Sequence, residues 1–264
     1  MSYKILKYRL VHRSKESQKW YIQKINAFYM SKHMQILTLA LITLLFFGAC
    51  KNQDETIKRP DTETGLPSEG LSYLALGDSY TIGQSVTVAE RWPVLFAKDF
   101  NKKGKTIAEP EIIARTGWTT GDLLNALNGN PPVKKYDLVS LLIGVNNQYQ
   151  GRSIDQYRLE FRELLVKSIG YAGDDVSKVF VLSTPDWGVT PYANGNNTAQ
   201  IAKEIDSFNK VAKEECDKLK VRFIDITPIS RKALNDPTMV ANDGLHFSGK
   251  MHQLWVNEVL LFVR

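Results

Sequence analysis

Apolar and polar residues alternate in two kinds of block along residues 71–264 of this chain. Short apolar runs predict buried β-strands, and the longer stretches between them repeat apolar residues at helical spacing. The predicted strands cover residues 71–76, 111–114, 137–143, 178–183 and 221–226. The predicted helices lie near residues 90–103, 119–127, 154–171, 199–219 and 248–262. Strands separated by helices pair in parallel through right-handed crossovers, so the pattern predicts an α/β domain, a three-layer αβα sandwich.

The first predicted strand ends in a turn that carries a serine, Ser79, directly after Gly77 and Asp78. The strand would deliver Ser79 to its carboxyl end, the edge where open α/β sheets bind ligands. The tripeptide alone is more typical of an ordinary turn or a helix cap. A catalytic interpretation of Ser79 therefore depends on what the rest of the chain places beside it.

Three further polar segments follow strands or precede the last helix. Residues 115–118 follow the second predicted strand, residues 144–147 follow the third, and residues 243–246 form the last loop. The carboxyl ends of parallel strands lie along one edge of a sheet, so these segments can converge on Ser79 although they are distant in sequence.

The two histidines beyond residue 49 differ in their sequence surroundings. A serine nucleophile needs a base to take its proton. His246 follows Asp243 by three residues, a spacing that lets the carboxylate orient the imidazole and stabilise its protonated form. His252 lies inside a helical pattern without such a partner, which favours a structural role. We therefore predict Ser79, His246 and Asp243 as a catalytic triad.

A serine hydrolase also needs hydrogen-bond donors for the oxyanion of its tetrahedral intermediate. The backbone N–H of Ser79 is one candidate. The N–H of Gly117 is a second, because a residue without Cβ allows a ligand to approach closely. The side-chain amide of Asn146 is a third. A turn glycine and a strand-end asparagine are the structural alternatives for the last two.

The four segments together resemble the SGNH hydrolases, the GDSL-type esterase/lipase family. Ser79, Gly117, Asn146 and His246 fall in the family's four motif positions and in the family's order, and Asp243 falls in its Asp-x-x-His motif. The resemblance covers about residues 71–262. It implies a flavodoxin-like fold with a five-stranded parallel sheet.

The same resemblance implies hydrolysis of carboxylic esters without a metal ion or another cofactor. The sequence agrees, since it has no Cys/His cluster for zinc and no glycine-rich phosphate loop. Three positions depart from the family's usual residues: Tyr80 stands in place of Leu, Asn147 in place of a frequent Asp, and Phe247 where Pro often follows the histidine. None of these departures removes a proposed catalytic group.

Three aromatic residues, Trp118, Tyr149 and Trp187, follow the second, third and fourth predicted strands and are candidates for a substrate pocket. Such rings can stack on a sugar, flank an acyl chain or simply pack the loops. Two substrate classes stay open: O-acetyl esters of carbohydrates, and acyl esters of short-chain lipids such as lysophospholipids. The alternative outside catalysis is a carbohydrate- or lipid-binding surface lipoprotein that has kept the fold.

The chain before residue 71 predicts export and attachment to a membrane. Residues 35–49 are an apolar run that is shorter than the roughly 20 residues of a membrane span and suits a signal peptide. Residues 47–50 resemble a bacterial lipobox, with Phe47 in place of the usual Leu, so we predict a lipidated Cys50 and removal of residues 1–49. A plain signal peptide or an uncleaved anchor are the alternatives, and translation starting at Met30 would explain the long polar segment before it.

Charge and composition assign the remaining parts of the chain. Residues 50–70 are polar with several Pro and Gly and predict a flexible tether, which leaves residues 71–264 as the hydrolase domain. Residues 1–49 hold eight of the 34 Lys and Arg but one of the 28 Asp and Glu, so the rest has a net charge of −1 and gives no reason to expect nucleic-acid binding. We expect a monomer in the envelope of a bacterial cell whose partners are a small-molecule or glycan ester and, through its lipid, a membrane.

Overall fold

A five-stranded, all-parallel sheet forms the centre of the computed structural model, which describes residues 64–263. The strand order is β2-β1-β3-β4-β5, the flavodoxin-like order. This confirms the predicted fold class. The strands are β1 (Tyr73–Gly77), β2 (Glu111–Ala114), β3 (Leu138–Leu142), β4 (Val179–Leu182) and β5 (Arg222–Ile224).

Helices cover both faces of the sheet. Those of the described region are α1 (Ser79–Ile82), α2 (Trp92–Asn101), α3 (Thr120–Gly129), α4 (Val145–Tyr149), α5 (Ile154–Tyr171), α6 (Thr198–Leu219), α7 (Thr227–Ser230) and α8 (Gly249–Phe262), with short 3₁₀ turns between them. Helices α2 and α8 pack on one face through residues such as Phe96 and Trp255. Helices α3, α5 and α6 pack on the other through Leu123, Leu164 and Phe208.

β1 contributes to both cores because successive side chains of a strand point to opposite faces. Tyr73 and Ala75 join the core under α2 and α8, whereas Leu74 and Leu76 join the core under α3, α5 and α6. All four are essentially inaccessible to solvent. β1 lies between β2 and β3, at the position where the strand order reverses. Its carboxyl end is therefore the switch point where sheets of this kind bind ligands.

The segment 64–70 packs against the domain. Leu66 is buried in the core under α2 and α8, and the Pro67 carbonyl accepts a hydrogen bond of 3.1 Å from the Glu109 N–H. The folded domain therefore begins before residue 71, the boundary that the sequence predicts. Cys50 and the predicted signal peptide lie outside the described residues. Within residues 64–263, no helix is long and apolar enough to cross a membrane.

Candidate active site

Ser79 is the first residue of α1, directly beyond the end of β1. The Asp78 side chain caps this short helix by accepting a hydrogen bond of 3.0 Å from the Tyr80 N–H. The first N–H groups of a helix have no partner inside it, so the Ser79 N–H is not used by α1 itself. A side chain on Gly77 would collide with the Thr81 side chain of α1 and with the Leu142 carbonyl of β3. Glycine at that position lets the chain turn within contact distance of β3.

Asp78 is fully buried behind the proposed nucleophile. Its Oδ1 accepts the helix-capping bond from Tyr80, but its Oδ2 has no hydrogen-bond partner among residues 64–263. Burial disfavours the charged form of a carboxyl group. It raises the pKa of Asp78 to about 7. The pKa of Asp78 is thus raised, whereas the pKa of Asp243, the other carboxyl group of the site, is lowered.

Asp243 holds His246 by two hydrogen bonds. Its Oδ2 lies 2.6 Å from His246 Nδ1, and its Oδ1 accepts a bond of 2.9 Å from the His246 backbone N–H. A carboxylate oxygen only accepts hydrogen bonds, so an ionised Asp243 requires the proton of a neutral His246 to be on Nδ1. Nε2 is then left unprotonated and able to accept a proton. This is the arrangement that a serine-activating histidine needs.

Asp243 remains ionised because four donors converge on it. Burial acts to raise its pKa, but hydrogen bonds from the Ser85 hydroxyl, the Leu245 and His246 N–H groups and the His246 ring hold the pKa well below its usual range. The bond from Ser85 Oγ to Asp243 Oδ2 is 2.6 Å long. Donors directed at the charged form stabilise it, so Asp243 keeps its charge at neutral pH.

Gly117 and Asn146 come from two other loops of the same sheet edge. Gly117 has φ +84°, a backbone conformation that favours glycine. A side chain there would meet no atom within 4 Å, so the surrounding space would admit a larger residue. Asn146 lies in the first turn of α4, and its Nδ2 donates a hydrogen bond of 2.9 Å to the Trp118 carbonyl. An amide NH₂ has two hydrogens. One of them orients Asn146 and the other is available to a ligand.

A cavity of about 140 Å³ brings these residues together at the carboxyl ends of β1 and β3. Ser79, Gly117, Asn146 and His246 all line it, although they are distant in sequence. Asp243 stands behind His246. The remaining lining residues are Tyr80, Thr116, Val145, Tyr149, Trp187, Tyr192 and Leu245.

Comparison with known proteins identifies the family. Residues 75–254 match the sequence model of the GDSL-like Lipase/Acylhydrolase family. The chain belongs to this family. The match confirms the resemblance found in the sequence and assigns the general activity, which is hydrolysis of carboxylic esters. No curated protein sequence matches the chain significantly.

Solved structures of lipases and esterases share the fold. A lipase/acylhydrolase from Enterococcus faecalis is 23% identical, with a TM-score of 0.54 over 72% of this chain and 94% of that one. An acetylxylan esterase from Geobacillus stearothermophilus is 18% identical, with a TM-score of 0.58 over 76% and 96%. A lipase from a goat rumen metagenome is 18% identical, with a TM-score of 0.60 over 74% and 99%.

Of the three aromatic residues predicted to form a pocket in this GDSL-type protein, two line the cavity and one does not. Tyr149 and Trp187 line it, whereas the Trp118 ring packs against the core under α3, α5 and α6. Trp118 contributes to the site through its carbonyl, which holds Asn146. Tyr192 takes the third aromatic position, and sequence analysis missed it because it lies in a single 3₁₀ turn, Pro191–Ala193, which is too short to show a repeat.

The aromatic mouth, formed by Tyr149, Trp187 and Tyr192, is held together internally. The ring of Trp187 is edge-on to both tyrosines, at centroid distances of 5.4 and 6.1 Å. Its Nε1 donates a hydrogen bond of 2.8 Å to Gln148, and the two tyrosine hydroxyls lie 3.0 Å apart. Trp187 is buried, but Tyr149 and Tyr192 are about half exposed (53% and 47%). The rings of the two tyrosines are thus held in place by their contacts with Trp187 and with each other, and part of each ring faces solvent beside the cavity.

His252 lies away from this cavity, on α8. It is buried, and its Nδ1 lies 3.0 Å from the Glu90 carbonyl, which requires the proton on Nδ1. Burial lowers its pKa to about 4, so the ring is neutral at physiological pH. The two histidines therefore have different surroundings: His246 is paired with a carboxylate at the cavity, and His252 is a packed residue inside the domain.

Proposed function

We propose that this protein is a lipid-anchored serine esterase that removes short acyl groups, with Ser79 as nucleophile. The observation that carries the proposal is the shared cavity, because Ser79 and His246 line it together and Asp243 fixes the tautomer of His246. A nucleophile, a base and a group that orients the base are the three parts of a serine hydrolase site.

In the first step, Ser79 Oγ attacks the ester carbonyl carbon while His246 Nε2 takes its proton. The carbonyl oxygen becomes an oxyanion. The Ser79 and Gly117 N–H groups and the free hydrogen of the Asn146 amide stabilise this charge. His246 then returns the proton to the alcohol oxygen as its bond to the carbonyl carbon breaks, which leaves an acyl-enzyme on Ser79.

In the second step, water replaces the alcohol. His246 takes a proton from the water, whose oxygen attacks the acyl carbon, and the same donors stabilise the second oxyanion. Collapse of this intermediate returns the proton to Ser79 Oγ and releases the carboxylic acid. Asp243 stays ionised throughout and stabilises the protonated imidazole in both steps.

The size of the cavity and the aromatic mouth support a short acyl group on a carbohydrate alcohol. An apolar protein cavity of about 150 Å³ holds a molecule the size of benzene, so about 140 Å³ suits a short acyl chain better than a long one. Tyr149 and Tyr192 offer apolar ring faces and two hydroxyls at the mouth. Tyrosine provides an apolar surface and a polar tip together, which suits the C–H faces and hydroxyls of a sugar.

The anchor at Cys50 is a separate part of the proposal. It is supported by the apolar run at residues 35–49 and the small residues directly before Cys50. Mass spectrometry of the mature protein from a membrane fraction tests it. A diacylglyceryl adduct on an N-terminal Cys50 is the expected result. An unmodified Cys50 inside an intact chain would rule out the anchor without affecting the esterase proposal.

Hydrolysis assays with the purified protein (residues 51–264) test the esterase activity. We expect p-nitrophenyl acetate and butyrate to be cleaved much faster than the palmitate ester, and acetylated xylo-oligosaccharides faster than lysophosphatidylcholine. A serine-directed phosphonate should label Ser79, with Ser79→Ala as the unlabelled control. Faster cleavage of the lysophospholipid would show that the substrate is a lipid ester and not a carbohydrate ester. Absence of both hydrolysis and labelling would favour the non-catalytic, carbohydrate- or lipid-binding lipoprotein.

A further inference from the structure

The loop that follows α1 contacts three separate segments of the site. The Gln84 N–H donates a hydrogen bond of 2.9 Å to the Ser79 carbonyl, and the Gln84 side-chain oxygen accepts one of 2.7 Å from Thr116 Oγ1, next to Gly117. The adjacent residue, Ser85, donates its hydroxyl to Asp243. Two consecutive residues thus connect the segments that carry the nucleophile, an oxyanion donor and the carboxylate.

Ser85 has a backbone conformation that serine rarely adopts. Its φ is +65°, in the left-handed region. This region costs an L-residue with a side chain roughly 1–2 kcal/mol, whereas glycine occupies it freely. Ser85 is exposed, so its side chain gains little from packing. Within residues 64–263, the one hydrogen bond of this side chain is the 2.6 Å bond to Asp243 Oδ2, the oxygen that also faces His246 Nδ1.

We propose that Ser85 is a positioning residue of the esterase, whose hydroxyl fixes the Asp243 carboxylate in the plane that His246 needs. The inference rests on the proposed function. A carboxylate held only by its backbone bonds to residues 245 and 246 can still rotate its Oδ2 away from the imidazole. The hydroxyl of Ser85 reaches that oxygen from a different segment and removes this freedom. Ser85 therefore acts through Asp243 and does not touch the substrate.

Two substitutions separate the effect of the Ser85 hydroxyl from the effect of its backbone conformation. Ser85→Gly removes the hydroxyl but suits the left-handed backbone, so relief of the backbone strain should offset the lost hydrogen bond and the melting temperature should stay close to that of the wild type. Ser85→Thr keeps the hydroxyl but places a β-branched residue at positive φ, so the melting temperature should fall. We expect kcat for p-nitrophenyl acetate to fall about tenfold in Ser85→Gly with KM unchanged, because a hydrogen bond to a charged group is lost. Ser85→Thr should retain most of the wild-type kcat.

Ser85→Gly should thus be the more stable and the less active of the two variants, and Ser85→Thr the less stable and the more active. A residue with only a structural role would lose activity and stability together. Wild-type kcat in Ser85→Gly, or a loss that falls on KM alone, would overturn the inference. So would a folded Ser85→Thr that is as inactive as Ser85→Gly. If the wild-type protein hydrolyses no ester, the proposed function itself fails and this inference fails with it. If the wild type is active and Ser85→Gly has the same kcat, the esterase proposal stands and only the role of Ser85 is ruled out.

Discussion

Asn146 Nδ2 lies 2.9 Å from the carbonyl oxygen of Trp118, and this contact fixes the direction of the second amide hydrogen. The amide is held by a backbone atom of the neighbouring loop before any substrate arrives. A donor that is already oriented needs no rearrangement when charge develops on the ester oxygen, which is the condition under which such donors contribute most to catalysis.

Asn146→Ala is therefore expected to lower kcat by roughly 10²–10³ with little change in KM. Steady-state kinetics on p-nitrophenyl acetate measures both constants. Asn147→Ala is the matched control, since the Asn147 amide bonds the N–H and hydroxyl of Thr120 and does not line the cavity. A variant Asn146→Ala that loses mainly affinity would place the residue in ground-state binding.

Ser79→Ala and His246→Ala should each abolish nearly all ester hydrolysis in a folded protein. Residues that act as one unit are strongly non-additive, so the double variant should be scarcely less active than either single variant. Single-turnover assays with circular dichroism as the folding check measure this. Losses that multiply in the double variant would show that the two side chains act independently.

Asp243→Asn should lower kcat severely, by up to about 10⁴. The amide can direct its NH₂ group at His246 Nδ1, which forces the ring proton onto Nε2 and leaves no base facing Ser79. The cavity geometry should be preserved, so phosphonate labelling of Ser79 should slow in parallel with kcat. Activity within a factor of ten of wild type would remove Asp243 from the proposed triad.

His252→Gln should keep kcat per folded molecule close to the wild-type value, in contrast to His246→Gln. His252 lies inside the domain against the Glu90 carbonyl, so its replacement should instead lower the melting temperature. Active-site titration corrects the rates for unfolded protein. An inactive, folded His252→Gln beside an active His246→Gln would reverse the assignment of the base.

Asp78 and His252 should make opposite contributions to the pH dependence of stability. The pKa of Asp78 is raised to about 7 in the fold, so its contribution is fully present below about pH 4 and is lost as pH rises through about 7. The pKa of His252 is lowered to about 4, so its contribution is present above about pH 6.5 and is lost as pH falls toward 4. Between about pH 4.5 and 6.5, the fall in the free energy of unfolding caused by Asp78 therefore offsets the rise caused by His252.

Urea unfolding across this pH range tests the pair. Asp78→Asn keeps the cap of α1, since Asn also accepts from the Tyr80 N–H, and its free energy of unfolding should rise with pH. His252→Gln should show the opposite slope, and wild type should be the flattest of the three. Variants whose profiles run parallel to wild type would mean that neither group is strongly shifted in the fold.

The sequence predicts the sheet well because each strand is a short apolar run between longer helical repeats. All five strands and all five predicted helices are present within two residues or so of the predicted ends; for example, β2 occupies residues 111–114 and α5 residues 154–171 as predicted. Helices α1, α4 and α7 were not predicted, since four or five residues are too few to show a helical repeat.

The parts of the site that sequence could not predict depend on backbone conformation. Nothing in the local pattern around Ser85 reveals a positive φ or a contact with a residue near the end of the chain. Trp118 illustrates the same limit, because the turn at Gly117 sends its ring into the core and leaves its carbonyl at the site. Sequence placed the loop correctly but could not show which atom of the residue matters.

The long separation of Ser79 and His246 along the chain has a consequence for biosynthesis. The loop that carries Asp243 and His246 emerges from the ribosome after every strand of the sheet, followed by α8. Met251 and Trp255 of α8 then fill the same core as Tyr73 and Ala75 of β1. A nascent chain that already contains Ser79 and the complete sheet still lacks the proposed base. Ester hydrolysis through His246 would therefore begin only after the loop 243–246 has been synthesised and has folded onto the completed sheet.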